Sequence, residues 1–247
     1  MNQKTASISE HLKELRSRLL KSIVLLLISF VICYYFADKI YSFLLDPYVQ
    51  AVKGDTVQRR MIFTAMHETF LTYLKLAFFS ALCISFPVIL IQIWKFIAPG
   101  LYKDEKLALL PFLISTPILF IMGGMLVYYL IMPLAIKFFL SFETTAVTSG
   151  LPIQLEAKVN EYLSLITRLI FAFGLSFQLP VLLTLLAKVG FIDSDYLKKR
   201  RKYVVVIIFA VAAVLTPPDP ITQIGLALPL LLLYELSIIT VKFVEKK

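Results

Sequence analysis

The chain has 247 residues, 59% of them hydrophobic and 17% charged, against roughly 25% charged in an ordinary soluble domain. With 20 Phe, 12 Tyr and a mean hydropathy of +0.84, one globule of this size cannot hide its apolar surface, which excludes a soluble enzyme and makes the lipid bilayer the first partner. The net charge of +9 sits in connections between apolar runs, the footprint of membrane topology, so nucleic acid is not a predicted partner.

In chain order, Ser7 and Glu10 form a capping-box pattern, and Ile8, Leu12, Leu15 and Leu19 recur at helical spacing. An amphipathic cytoplasmic helix is predicted over residues 1–18. It is too polar and acidic for a signal peptide and no small-residue cleavage motif follows, so the first span is expected to be retained. On its polar side Glu14 stands four residues before Arg18. That carboxylate is either a surface partner of Arg18, worth about 0.3–0.5 kcal/mol, or an acceptor for a ligand's guanidinium. His11 has no Cys or second His at metal spacing, and neither a metal nor a cofactor is expected.

Six apolar stretches are long enough to consider as spans, at about residues 19–37, 70–94, 107–136, 162–187, 203–215 and 221–241. Cys33 and Cys83 lie inside such runs and read as small buried hydrophobes. Seventeen of the 25 Lys and Arg residues fall on the side holding both chain ends and six on the other, which predicts cytoplasmic termini. Lys75 and Arg168 remain within spans and are expected to snorkel to the outer interface. The outer connections at residues 38–69 and 137–161 are each long enough for a short helix, whereas residues 216–220 form a tight proline turn. Pro87, Pro111, Pro117, Pro133, Pro180 and Pro229 are expected to bend their spans and enclose a concavity. The fifth span has only 13 apolar residues, about 20 Å against about 30 Å of hydrocarbon. If Glu235 reaches the cytoplasmic interface, the sixth matches it and the hairpin thins the bilayer; otherwise Glu235 packs against a partner and the span continues to Val241.

The resulting expectation is a single-domain, all-α integral membrane protein of six transmembrane helices, both termini cytoplasmic, with proline-bent spans and a short fifth and sixth helix hairpin. Residues 94–106 add an aromatic, Pro-Gly and acidic connection on the cytoplasmic side. On a face dominated by basic residues, capture of a guanidinium requires specific carboxylates, and Glu14 and Glu105 are the candidates.

Residues 11–19, His-Leu-Lys-Glu-Leu-Arg-Ser-Arg-Leu, and residues 96–106, Phe-Ile-Ala-Pro-Gly-Leu-Tyr-Lys-Asp-Glu-Lys, carry a specific likeness. So do Asp46-Pro47, Phe177-Gln178-Leu179-Pro180, Pro218-Asp219 and Leu232-Leu233-Tyr234-Glu235. The sequence resembles the TatC family, the multispanning core and signal receptor of the twin-arginine protein translocase, over nearly its whole length. The resemblance implies a noncatalytic receptor in the inner membrane that binds signals bearing two consecutive arginines and works with single-span TatA-like and TatB-like partners under the proton-motive force. A second copy of the chain is a further candidate partner. By the same resemblance Glu14 and Glu105 receive the arginines, Phe96, Leu101 and Tyr102 shape the loop, and Lys103 helps to hold it. Gln178 is the implied polar contact for a partner inside the membrane, although many family members carry glutamate there. Pro47 and Asp219 are expected to shape outer turns. The competing function is a small proton-coupled secondary transporter built around Gln178, Lys75 and Arg168. An intramembrane enzyme is not expected, because no nucleophile and base stand at catalytic spacing.

Overall fold

The computed structural model describes residues 8–53, 59–97, 110–144, 153–216 and 219–245, and every regular element among them is a helix. Helix α1 (Ile8–Tyr35) runs from its polar first turns into the first span without a break, so the expected amphipathic helix and span are one helix of 28 residues. A turn at Phe36 leads into α2 (Ala37–Ala51), inside the first long connection. Helix α3 (Glu68–Ile97) begins where the Glu68 carboxylate accepts hydrogen bonds from the backbone N–H of Thr64 and Ala65, satisfying donors at the re-entry point.

The third apolar stretch is α4 (Leu110–Leu126), a π-helical turn over Val127–Ile131, and α5 (Met132–Leu140). Pro133, in the first turn of α5, removes the N–H that would bond the carbonyl of Tyr129, and the wider turn absorbs the lost bond. The fourth is split into α6 (Val159–Ser176) and α7 (Leu179–Lys188), parted at Phe177 and Gln178 just before Pro180. The hairpin α8 (Ser194–Leu215) and α9 (Pro220–Glu245) completes the bundle.

Among the described residues five segments are long and apolar enough to cross a membrane: Leu12–Tyr35, Glu68–Ile93, Pro111–Leu140, Val159–Lys188 and Pro220–Glu245. Helix α8 differs because its first half carries Asp195 and the run from Lys198 to Lys202, leaving about 20 Å of apolar helix from Tyr203 onward. Arg201 Nη2 donates to Glu235 Oε2 at 2.6 Å, so charge enters α8 and α9 at one level. Glu235 thus has a partner, and α9 continues past it to Glu245.

The core lies between α5 with its π turn, α6 and α9, where Val127, Met132, Ile166, Leu169, Phe173 and Leu226 are all fully buried. Helix α1 packs on α3 through small residues, with Cys33, Ala77 and Ala81 buried and Ser85 Oγ donating to Ser29 Oγ at 3.2 Å. Its other faces, including Val24, Leu27 and Val31, are exposed apolar surface of the kind lipid covers.

Pro47 corrects one expectation. It lies inside α2 and is buried, so it bends a helix that caps the bundle and does not form a turn. A proline there cannot donate to the carbonyl of Phe43, and the Tyr128 hydroxyl donates to that oxygen instead, at 2.7 Å. The Tyr162 hydroxyl donates to the next carbonyl, Leu44, at 2.9 Å. Two tyrosines from the core helices therefore hold α2 by its backbone oxygens, one of them the Phe43 carbonyl that Pro47 leaves without an N–H donor.

The α2 end of the bundle is also strapped by its connections. Arg59 Nη1 and Nη2 donate to Glu143 Oε1 and Oε2 at 2.8 and 2.7 Å, and Leu155 N donates to Glu143 Oε1 at 2.8 Å. Isolated bridges pair Ile62 with Lys158 and Thr144 with Ile153. The Arg59 bonds, with the Leu155 amide behind them, hold the Glu143 carboxyl below its usual 4.5. A folded value below the unfolded one means that the strap contributes stability above about pH 4.5 and loses it as pH falls through the depressed value. Hydrogen exchange at Leu155, corrected for intrinsic rate, should therefore lose protection as pH falls through the depressed Glu143 value, and Glu143→Gln should abolish that pH dependence. A pH dependence that Glu143→Gln leaves unchanged contradicts this account.

Candidate functional site

Glu14 lies on α1 about three turns before Leu25, where the helix becomes apolar, and its side chain is 37% exposed. Its Oε1 accepts from Arg18 Nε at 3.0 Å and from Arg18 Nη2 at 2.5 Å. Arg18 Nη1 in turn donates to Gln92 Oε1 on α3 at 3.2 Å. The pair that sequence spacing suggested is thus present, and it is tied to a second helix through Gln92. That tie was not foreseen. The only sequence signal for it is an amide in the last two turns of an otherwise apolar span. Phe96, one turn beyond Gln92, is half-buried at the end of α3. Leu101, Tyr102, Lys103 and Glu105 fall outside the described residues. Helices α1 and α3 bring Glu14, Arg18 and Gln92 together near the C-terminal end of α3, one turn before Phe96.

Gln178 sits at the break between α6 and α7 and is 6% exposed. Its Nε2 donates to the carbonyl of Thr116 on α4 at 3.0 Å and to that of Gly174 at 3.4 Å. It therefore cross-links α4 to the break, while Oε1 is buried with no hydrogen-bond partner among the described residues. Pro180 has no N–H for the carbonyl of Ser176, and that carbonyl is not one of these two acceptors.

Asp219 is 4% exposed and begins α9: Oδ1 accepts from Thr222 N at 2.7 Å, and Oδ2 from the Thr222 hydroxyl. With Pro220 following it, this is an N-cap that satisfies an orphan helix donor. Asp219 orders the hairpin from inside.

Lys75 and Arg168 are exposed and line one groove of about 610 Å³ between α3, α6 and α8. Its walls are mostly apolar, with Leu76, Phe79, Phe171, Leu175 and Val211 prominent. Lys75 and Arg168, both expected to snorkel to the outer interface, share this concavity. Among the described residues no group of three or more His, Cys, Asp or Glu is placed to hold a metal ion.

Comparison with known proteins agrees with this architecture. The family model for the Sec-independent protein translocase protein (TatC) matches residues 10–229. The chain is 48% identical to the Sec-independent protein translocase protein TatC of Rickettsia prowazekii (strain Madrid E) over 242 residues, covering 98% of this chain and 95% of that one. It is 46% identical to the TatC protein of Magnetococcus marinus over 245 residues, covering 99% and 87% respectively. A crystal structure of the twin-arginine translocase receptor TatC superposes with a TM-score of 0.80 at 36% identity, covering 96% of this chain and 100% of that one. Matched along its length in both sequence and fold, this membrane protein belongs to the TatC family of Sec-independent protein translocase proteins.

Proposed function

We propose that this translocase subunit is the receptor that reads twin-arginine signals at the cytoplasmic face of the inner membrane, with six spans and both termini cytoplasmic. The observation that carries the reading is that Glu14 already holds a guanidinium, through two nitrogens of Arg18. A carboxylate so paired and partly exposed accepts a signal's arginine by exchange. Glu105 supplies the second carboxylate in this reading, Phe96, Leu101 and Tyr102 shape the loop, and Lys103 steadies it. Lysine offers a point charge without the planar fork, so an Arg-Arg pair is preferred over Lys-Lys.

The apolar part of the signal then follows α3 into the groove at Phe79. From Gln92 to Phe79 is about 20 Å along the helix axis, the length of some 13 helical residues. In the same reading, single-span TatA-like and TatB-like subunits assemble on the bundle, a second copy of the chain is a further partner, and the proton-motive force drives export. A partner contact at Gln178 needs its buried Oε1 uncovered. The short apolar half of α8 is the surface proposed for a partner helix, because a neighbour of matching length relieves its hydrophobic mismatch; α9, which runs on to Glu245, does not share that shortness.

The test is binding of labelled Arg-Arg and Lys-Lys signal peptides to the purified protein at several salt concentrations. A clear Arg-Arg preference supports the assignment; equal weak binding of both peptides counts against it. The exchange step adds its own expectation. Arg18→Gln removes the resident guanidinium and should raise Arg-Arg affinity by about twofold, the worth of an i,i+4 helix pair. A fall in affinity instead would mean that Arg18 supports the site and does not compete for it.

A further inference from the structure

The lipid-facing stripe of α9 and the charged start of α8 disagree about where hydrocarbon ends. Along α9, Leu232, Leu236, Ile239 and Phe243 are 67%, 52%, 51% and 70% exposed. Spacings of four, three and four residues put them on one face, so apolar surface continues to within two residues of the helix end. The Arg201–Glu235 pair, however, sets the basic run of α8 beside the middle of that stripe. Between the two helices lies a notch of about 360 Å³ lined by Lys198, Arg201, Glu235, Ile239, Lys242 and Phe243.

Its charges are unbalanced. Arg201 answers Glu235, and Lys198 answers Asp195 at 2.8 Å. Lys242 makes no direct ion pair among the described residues and shares with Lys198 and Lys199 the field of the one carboxylate Asp195, while Arg200 and Lys202 add to the local positive charge. A water-filled notch would leave exposed apolar side chains beside it without cover. A small inorganic anion would answer the charge and leave Ile239 and Phe243 bare. A zwitterionic lipid would bring a cationic headgroup group into an excess of positive charge.

We propose that this notch binds an anionic phospholipid, its phosphate held by Lys198, Arg201 and Lys242 and one acyl chain lying along Ile239 and Phe243. Basic pockets between spanning helices with apolar floors suit such headgroups, each basic residue contributing about a fivefold gain in affinity. The site is separate from Glu14 and Gln92 and does not depend on how the signal is read.

The chain has a single tryptophan, so Trp94→Phe with Phe243→Trp moves the one reporter into the notch. In mixed vesicles at fixed ionic strength, phosphatidylglycerol with brominated chains should quench it about fivefold or more efficiently than brominated phosphatidylcholine. Adding Lys198→Gln and Lys242→Gln should bring the ratio close to one, while phosphatidylcholine still quenches and the helical circular dichroism is kept. Equal quenching by the two lipids before that substitution, or a ratio the substitution leaves unchanged, overturns the proposal. Full competition by millimolar inorganic phosphate also overturns it, by showing that the notch reads a free anion.

Discussion

Glu14→Gln is expected to weaken Arg-Arg signal binding by roughly tenfold or more, with little change in Lys-Lys binding or in helical content. A hydrogen bond to an ionised carboxylate contributes about 1.5–3 kcal/mol, and an amide cannot accept a planar bidentate pair of N–H donors from guanidinium in the same way. The full value does not appear, because in the resting protein Glu14 is bound to Arg18 and that pair must open first. Its cost is small: an i,i+4 ion pair on a partly exposed helix contributes about 0.3–0.5 kcal/mol. Glu14→Gln measured in an Arg18→Gln background separates the two terms, and there the loss should be larger. Isothermal titration or fluorescence anisotropy with a labelled signal peptide reads the effect. If Glu14→Gln binds Arg-Arg peptides as tightly as the unsubstituted protein, the carboxylate is a helix surface group and the site lies elsewhere.

The largest expected structural effect is at Gly123. An added Cβ there would meet Phe173 O at 2.7 Å, Phe173 C at 2.9 Å and Gly174 Cα at 3.0 Å, all backbone atoms of α6. None of these can rotate away. The reciprocal position is equally tight, since a Cβ on Gly174 would lie 2.6 Å from Cε2 of Phe120, whose ring packs against Phe86 and Phe171. Helices α4 and α6 thus cross at backbone contact, the close approach that small residues permit where no hydrophobic driving force separates protein from lipid. Gly123→Ala should cost about 3 kcal/mol by overpacking and lower the thermal midpoint in detergent by several degrees. Gly124→Ala is the control, because its nearest contact is Ile170 Cγ2 at 3.5 Å and alanine favours the helix. Equal losses at both positions would show that the backbone crossing at Gly123 is not what decides, since helix propensity alone favours alanine at both. The crossing also matters for function: it brings Thr116 of α4 against the α6 and α7 break, where the Gln178 amide bonds its carbonyl.

Much of the molecule was readable from local order in the chain. Apolar length marks the spans, prolines mark where α4, α5, α6 and α7 depart from straight helix, and the spacing of Glu14 and Arg18 marks their pairing. Asp219 followed by Pro220 marks a helix start. These features depend on residues within a turn or two of one another. The sequence also marks the short apolar half of α8, whose basic first half sets it apart from the five long apolar helices.

What the tertiary structure alone decided is which faces meet. A span that is apolar all round has no polar and apolar periodicity from which its rotation about its own axis can be read, because lipid and protein neighbours are equally apolar solvents. Hence the Arg18–Gln92 bond, the two tyrosine hydroxyls on α2, the shared groove of Lys75 and Arg168 and the Gly123 crossing were not legible in advance. Each depends on side chains far apart in sequence that face each other only after the helices have chosen their rotations, and backbone contact between α4 and α6 leaves that choice little freedom.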